Sequence, residues 1–304
     1  MVIDCLVFPP TLECMKYNLE IPRVQYGYMI LFGRRFLGED FTVPRNIDDI
    51  AKIEPPFKPE DMVMPMEKFV EMLDSLGIDH CVLFAMDEET NTGKPVLNDH
   101  IAQLVKEYPD KFKGFGGADP HKGKRAVEQV QKAYDSGLIG IAMRPFVHNL
   151  YSSSKKYYPI YSKCDELDMI VWLHTSMSWS HIRRMDLGRP LYLDRVCLDF
   201  PELRIIAGHA GWPWVIELMG VMWRRPNVYT DITTINPKYI GMPGTGWEPL
   251  ITYGNSLFQD RVLFGTSWPL MPFDLCIEEV KKLPLKDSVK EKWLHKNSER
   301  LFGF

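Results

Sequence analysis

Eight short apolar, β-rich runs recur along the chain at a nearly constant pitch, and between them apolar residues follow a helical period. The runs are Val2–Val7, Cys81–Ala85, Lys113–Gly117, Ile139–Met143, Ile170–Leu173, Leu203–Ala207, Val228–Ile232 and Arg261–Phe264. They are continuous rather than alternating, as expected of strands buried on both faces of a parallel sheet. Met66, Phe69, Val70 and Leu73 fall at i, i+3, i+4 and i+7, with Gly77 placed for a left-handed helix end. Ala126, Val127 and Val130 share a face in a segment that stops at Gly137, and Pro213 is predicted as the first helical residue of Trp214–Trp223. Eight strands alternating with helices predict an α/β chain folded as a (β/α)8 TIM barrel. An open doubly wound sheet would need a glycine-rich loop after the first strand, and Cys5-Leu6-Val7-Phe8-Pro9-Pro10 is no such loop.

One stretch breaks the rhythm. From about residue 9 to 63 the chain carries Tyr17, Tyr26, Tyr28, Phe32, Phe36, Phe41 and Phe57, several prolines and the basic pair Arg34-Arg35. The predicted organisation is a single 1–304 barrel domain in which this long insertion after strand 1 is a lid or an oligomer contact. A surface excursion packed on itself is the alternative. At 304 residues, one barrel with an insertion accounts for the whole length. Acidic residues outnumber basic ones 40 to 36, leaving no basic stripe for a nucleic-acid backbone. The six cysteines are scattered without a C-x-x-C pair, no apolar run is long enough to span a bilayer, and the start lacks a secretory leader pattern. A cytoplasmic protein binding neither membrane nor nucleic acid is expected, and the aromatic insertion suits a homo-oligomer.

In such a barrel, chemistry gathers at the C-terminal ends of the strands. Asp87, Glu88 and Glu89 follow the second strand, Asp119-Pro120-His121 the third, Arg144 the fourth and His174 the fifth. His209 follows the sixth, Asp231 the seventh and Thr266-Ser267-Trp268 the eighth. Imidazoles titrate near neutrality, so His174 and His209 are candidate proton carriers, with Asp231 either orienting one of them or supporting the rim. Arg144 is the candidate anchor for a carboxylate, a guanidinium being able to grip it by two hydrogen bonds. Arg183, and with it Arg184, lies on the loop after His174, as does His181. Ser267 is a candidate hydrogen-bond donor to substrate. Trp179, Trp212 and Trp268 are candidate apolar walls. Asp119 is sufficiently explained as a turn former, and Cys5 as packing.

Ala207-Gly208-His209-Ala210-Gly211-Trp212-Pro213-Trp214, Pro226-Asn227-Val228-Tyr229-Thr230-Asp231 and Val262-Leu263-Phe264-Gly265-Thr266-Ser267-Trp268-Pro269 resemble, in order, the motifs of the amidohydrolase-related family. Arg189-Pro190, Asp199-Phe200-Pro201 and the closing Asn297-Ser298-Glu299-Arg300-Leu301-Phe302 extend the likeness from about residue 62 onward. The family includes aminocarboxymuconate-semialdehyde and γ-resorcylate decarboxylases. The resemblance implies that His209 matches a general acid or base and that His174 matches a metal ligand. Family members usually open with I-D-x-H-x-H, two metal-binding histidines that are Leu6 and Phe8 here, and an aspartate usually follows Gly-Thr where this chain has Ser267. Leucine and phenylalanine donate nothing to a cation, so the expectation is that no metal cofactor is held. The alternative is a relocated zinc or manganese site built from Cys5, His121, His174 and His209.

The resulting expectation is a metal-independent hydrolase or lyase, doing decarboxylase or hydrolase/hydratase-type acid–base chemistry on a small carboxylated, aromatic or unsaturated, metabolite. His174, His209 and Asp231 are the catalytic candidates, and Arg144, Ser267, Trp212, Trp268 and Arg183 the substrate-binding ones. The alternatives are a catalytically silent binding or partner-subunit relative and, third, a metal-dependent hydrolase with a relocated site.

Overall fold

The structure is a computed structural model, and it describes residues 1–20, 22–28, 42, 44, 46–53 and 58–304. Phe32, Arg34, Arg35, Phe36, Phe41 and Phe57 of the insertion lie outside the described residues. Eight parallel strands stand in chain order: β1 Ile3–Val7, β2 His80–Phe84, β3 Phe112–Gly117, β4 Gly140–Met143, β5 Ile170–His174, β6 Ile205–Gly208, β7 Val228–Asp231 and β8 Val262–Leu263. The ring is closed by a seam between β1 and the segment running out of β8. Across it Cys5 N donates to Phe264 O (2.9 Å), Ser267 N to Leu6 O (3.0 Å) and Phe8 N to Trp268 O (2.9 Å), and Val7 pairs with Trp268. All eight apolar runs are strands, so the (β/α)8 TIM barrel stands.

The helices between them bury the stripes that their sequences carry. Met66–Ser75 turns Met66, Phe69 and Leu73 inward and is followed by Gly77 at φ +70°, where a side chain would be strained. Lys124–Asp135 does the same with Ala126, Val130 and Ala133. The helix after β6 differs from expectation. It runs Val215–Arg224, and Pro213 is not in it but sits after a cis peptide bond in a turn. That turn carries three successive residues with left-handed backbone, His209 (φ 66°), Ala210 (φ 48°) and Gly211 (φ 74°), so regular helix cannot begin until the chain has come round.

Inside the ring Phe84 stacks on Phe115 (4.8 Å between centroids) and meets the edge of Trp172 (5.6 Å). These three rings form an apolar floor beneath the C-terminal mouth. The six cysteines are free and buried, Cys5 among them, with burial pushing its thiol well above the usual range. Among the described residues no helix is long and apolar enough to cross a membrane.

Candidate active site

A cavity of about 1300 Å³ opens at the C-terminal ends of the strands. Leu6, Phe8, Arg144, Trp172, His174, His209 and Ser267 line its depth, and loop residues including Tyr28, Trp179, Trp212 and Trp247 its sides. The two histidines meet there, their rings 4.7 Å apart and edge to face.

His209 is the more tightly held. Its backbone N–H donates to Asp231 Oδ1 (2.9 Å), which fixes the left-handed turn. Its ring Nδ1 lies 2.8 Å from Thr233 Oγ1 and 3.0 Å from the Thr233 carbonyl. The Thr233 hydroxyl gives its own proton to Asp231 Oδ1 (2.5 Å), so the proton between ring and threonine belongs to Nδ1. Nε2 is then left as the nitrogen free to accept or deliver a proton. Burial lowers the pKa of His209 below the ordinary 6.5, with Asp231 and the Thr233 carbonyl opposing and Arg144 adding to the drop.

Asp231 is fully buried and takes two further donors, Trp172 Nε1 (2.7 Å, to Oδ2) and Thr233 N (3.0 Å, to Oδ1). Its carboxylate stays 3.9 Å from the His209 ring and does not line the cavity. The structure places Asp231 behind the histidine, where it ties β5, β6 and β7 together as a positioning residue. The construction depends on Gly208, where an added Cβ would come within 2.4 Å of the Trp172 indole. Gly208→Ala is expected to push that ring off Asp231 and cost about 1–3 kcal/mol, read as a lowered Tm together with altered Trp fluorescence.

His174 is buried, its ring packed on Phe146 (4.7 Å), and the Tyr28 hydroxyl reaches its Nε2 at 3.3 Å. Nδ1 has no hydrogen-bond partner among the described residues. Burial, His209 and Arg144 together hold this imidazole well below its usual range, so it is neutral.

Arg144 faces the cavity but arrives already paired. Glu88, nearly inaccessible to solvent, grips its Nε and Nη2 (2.6 Å for the latter), and with its amide oxygen turned inward Gln25 accepts from Nη1 at 2.8 Å. Burial disfavours the guanidinium charge, yet Glu88 together with Tyr17 and Tyr28 outweighs this and the pKa rises. Arg144 is thus an oriented donor at the cavity whose charge is largely compensated by Glu88.

Other candidates fall elsewhere. Ser267 lines the cavity in a left-handed backbone (φ 58°), its Oγ accepting from Thr234 Oγ1 (2.7 Å). Trp212 lines it too, with Nε1 donating to the Thr245 carbonyl (3.1 Å). Trp268 does not: the seam turns its ring outward to stack on Phe273 (5.8 Å) and to meet Phe69 at a tilt (5.1 Å), so it is core packing. Arg183 lies off the cavity with its nearest donation to the Ile182 carbonyl, Arg184 pairs with Asp186, and His181 is exposed. Asp119 caps its turn, as expected, accepting from His121 N (2.9 Å) and Thr90 N (3.0 Å). His121 is taken up by the His148 carbonyl (2.7 Å). Glu88, Gln25, Tyr28 and Thr233 are the members of the site to which sequence reasoning gave no role. The D-x-T spacing of Asp231 and Thr233 was the one local signal available.

Residues 53–304 match the family model described as amidohydrolase. The chain belongs to the amidohydrolase family. It is an enzyme of that family. It is 25% identical over 243 residues to the 2-amino-3-carboxymuconate-6-semialdehyde decarboxylase of Dictyostelium discoideum, a match spanning 68% of this chain and 65% of that enzyme. An uncharacterized TIM-barrel protein, Bb4693, from Bordetella bronchiseptica shares the fold at a TM-score of 0.76 and 27% identity, covering 99% of this chain and 98% of that one. The 5-carboxyvanillate decarboxylase of Novosphingobium aromaticivorans does so at 0.67 and 19%, covering 100% and 96%.

That last enzyme was solved with manganese and 4-hydroxy-3-methoxy-5-nitrobenzoic acid bound. The expectation of a metal-independent family member with no metal cofactor is corrected by this finding: decarboxylases of the same fold have been solved with manganese bound. The donors that this chain brings to the same mouth do not fit such an ion well. Leu6 and Phe8 present only carbon, the Ser267 hydroxyl is engaged by Thr234, and no group of three or more His, Cys, Asp or Glu able to hold a metal occurs among the described residues. The relocated set is not assembled either, since Cys5 is packed in the barrel wall and His121 is bound to the His148 carbonyl. The steps that follow are carried by the chain's own side chains.

Proposed function

We propose that this amidohydrolase-family enzyme decarboxylates a small aryl carboxylate. The observation that carries the reading is His209, whose Nδ1 is locked by Thr233 and Asp231 while Nε2 is left to the reacting carbon. Loss of CO2 from an aryl acid needs one proton at the carbon that carried the carboxylate. Protonated His209 gives that proton from Nε2, the C–CO2 bond breaks with its electron pair returning to the ring, and His209 is recharged from solvent. Arg144 orients the carboxylate without neutralising it, because Glu88 already compensates its charge. Apolar neighbours Leu6 and Phe8 strip water from an anion that is less stable there than neutral CO2. Decarboxylase relatives bring support from the same family.

The test is release of CO2 from a panel of hydroxybenzoates by the wild type and by His209→Asn; turnover unaffected by the substitution would overturn the reading. Lowered basicity also suits His209 to the opposite task, taking a proton from water in a hydrolysis or hydration, and the pH profile separates the two.

The insertion is part of the proposal, as a lid. Leu19, Tyr28, Ile50 and Ile53 line the cavity from it. Its backbone presses on the loop after β5 so closely that a Cβ at Gly27 would fall 1.4 Å from the Trp179 carbonyl oxygen. Gly27→Ala is expected to lift this segment off the loop after β5, raising KM about tenfold while the Tm of the barrel moves little.

A further inference from the structure

The cavity is much larger than a single-ring acid requires. Ligand cavities commonly measure about 300–1,000 Å³, and this one measures about 1300 Å³. Its layers also differ in chemistry. At the strand ends lie the groups already described: His174, His209, Arg144 and Ser267. Beyond them the loops supply Leu19, Ile50 and Ile53 from the insertion, Trp247 after β7, and Leu270 and Leu275 after β8. Among the described residues, the charged side chains on the lining besides the two histidines are Arg144 and Glu20. Among the described residues, the outer layer therefore offers no counter-charge for a second anionic group. It does offer indole faces, with Trp212 and Trp247 stacked 6.4 Å apart at 23°, against which a flat apolar body packs well. Leu275 is 39% exposed although it faces the cavity. A large aliphatic side chain left half-wet at a cavity mouth gains contact when an apolar ligand covers it.

We infer that the substrate is an aryl carboxylate extended by a second, uncharged apolar group of about ring size, with its carboxylated ring at His209 and Arg144 and the extension between the insertion and the loops after β7 and β8. The inference rests on the decarboxylase reading for the orientation of the acid. It goes beyond that reading in stating what fills the outer half of the site.

Benzoate and 4-biphenylcarboxylate serve as probes. Their binding to the full-length protein is read by calorimetry and by quenching of the cavity tryptophans, and CO2 release is followed separately with the 2-hydroxy forms of both acids. The expected result is at least tenfold tighter binding of the biphenyl acid. Leu275→Glu and, separately, Ile53→Glu should each weaken binding of the biphenyl acid more than that of benzoate and so abolish the preference. Equal or weaker binding of the biphenyl acid, or a preference that survives both substitutions, overturns the inference. Preferential binding without any CO2 release upholds the extended ligand and overturns the decarboxylase reading instead. CO2 release without the binding preference does the reverse.

Discussion

His209→Asn is expected to lower kcat for decarboxylation by about 10²–10⁴-fold, the range that a positioned proton donor supplies, with ligand binding nearly unchanged. Asparagine can still reach Thr233 but cannot carry a proton to carbon. The wild-type pH profile should show the same dependence. Burial keeps the His209 pKa below 6.5, against the pull of Asp231 and with Arg144 reinforcing the drop. At neutral pH only a minor fraction is therefore imidazolium. If the imidazolium is the acid, kcat rises as pH falls and levels off only below that lowered pKa. A profile that instead rises with pH through the same window assigns His209 to general base work, and with it the hydrolysis or hydration reading. The same shift acts on stability. Both cavity histidines are neutral in the folded chain, whereas an unfolded histidine protonates from about 6.5 downward, so the stability that they contribute is present above that value and is lost as pH drops toward their folded pKa values. Asp4 works the other way. Burial raises it to about 7 despite bonds from Leu6 and Thr266, so its contribution is lost as pH rises through about 7. Tm measured against pH should accordingly pass through a maximum rather than climb steadily in either direction.

Glu88→Leu should be the most destabilising single change at the mouth, at about 3–5 kcal/mol, because it strands the Arg144 guanidinium in a nearly closed setting. Tyr17, whose hydroxyl also donates to Glu88 (3.3 Å), loses its acceptor at the same time. Adding Arg144→Met removes the stranded charge, and the double variant should recover most of the lost Tm. It should not recover turnover, since nothing then orients the carboxylate. A double variant as unstable as the single one would show that the pair matters for packing rather than for charge.

The barrel was legible because its signal is local: each strand is a short apolar run, and each run folds beside its chain neighbour. The histidines were legible as positions, since both lie at strand ends within ordered motifs. Their surroundings were not. Glu88 and Arg144 are 56 residues apart, and only the closing of the ring brings the loop after β2 against the end of β4. Sequence showed an arginine at the mouth but not that its charge was already spoken for. Trp268 was misplaced for a related reason, because the β1–β8 seam decides which way that residue faces. Pro213 read as a helix start from its neighbours alone, whereas the left-handed turn at His209 delays the helix to Val215. The metal expectation came from Leu6, Phe8 and Ser267 standing where the family usually has donors, and the manganese bound in decarboxylases of the same fold corrects it.

The seam that closes the ring joins the two ends of the chain: Asp4 accepts hydrogen bonds from Thr266, 262 residues away. During synthesis β1 therefore stands with one greasy flank and one row of amides unmatched until the segment after β8 has been made. Contacts so distant form slowly and leave aggregation-prone edges bare in the meantime. Strand β1 is accordingly the part of the barrel most in need of protection until β8 has formed, and loss of the segment after β8 should be felt first at β1.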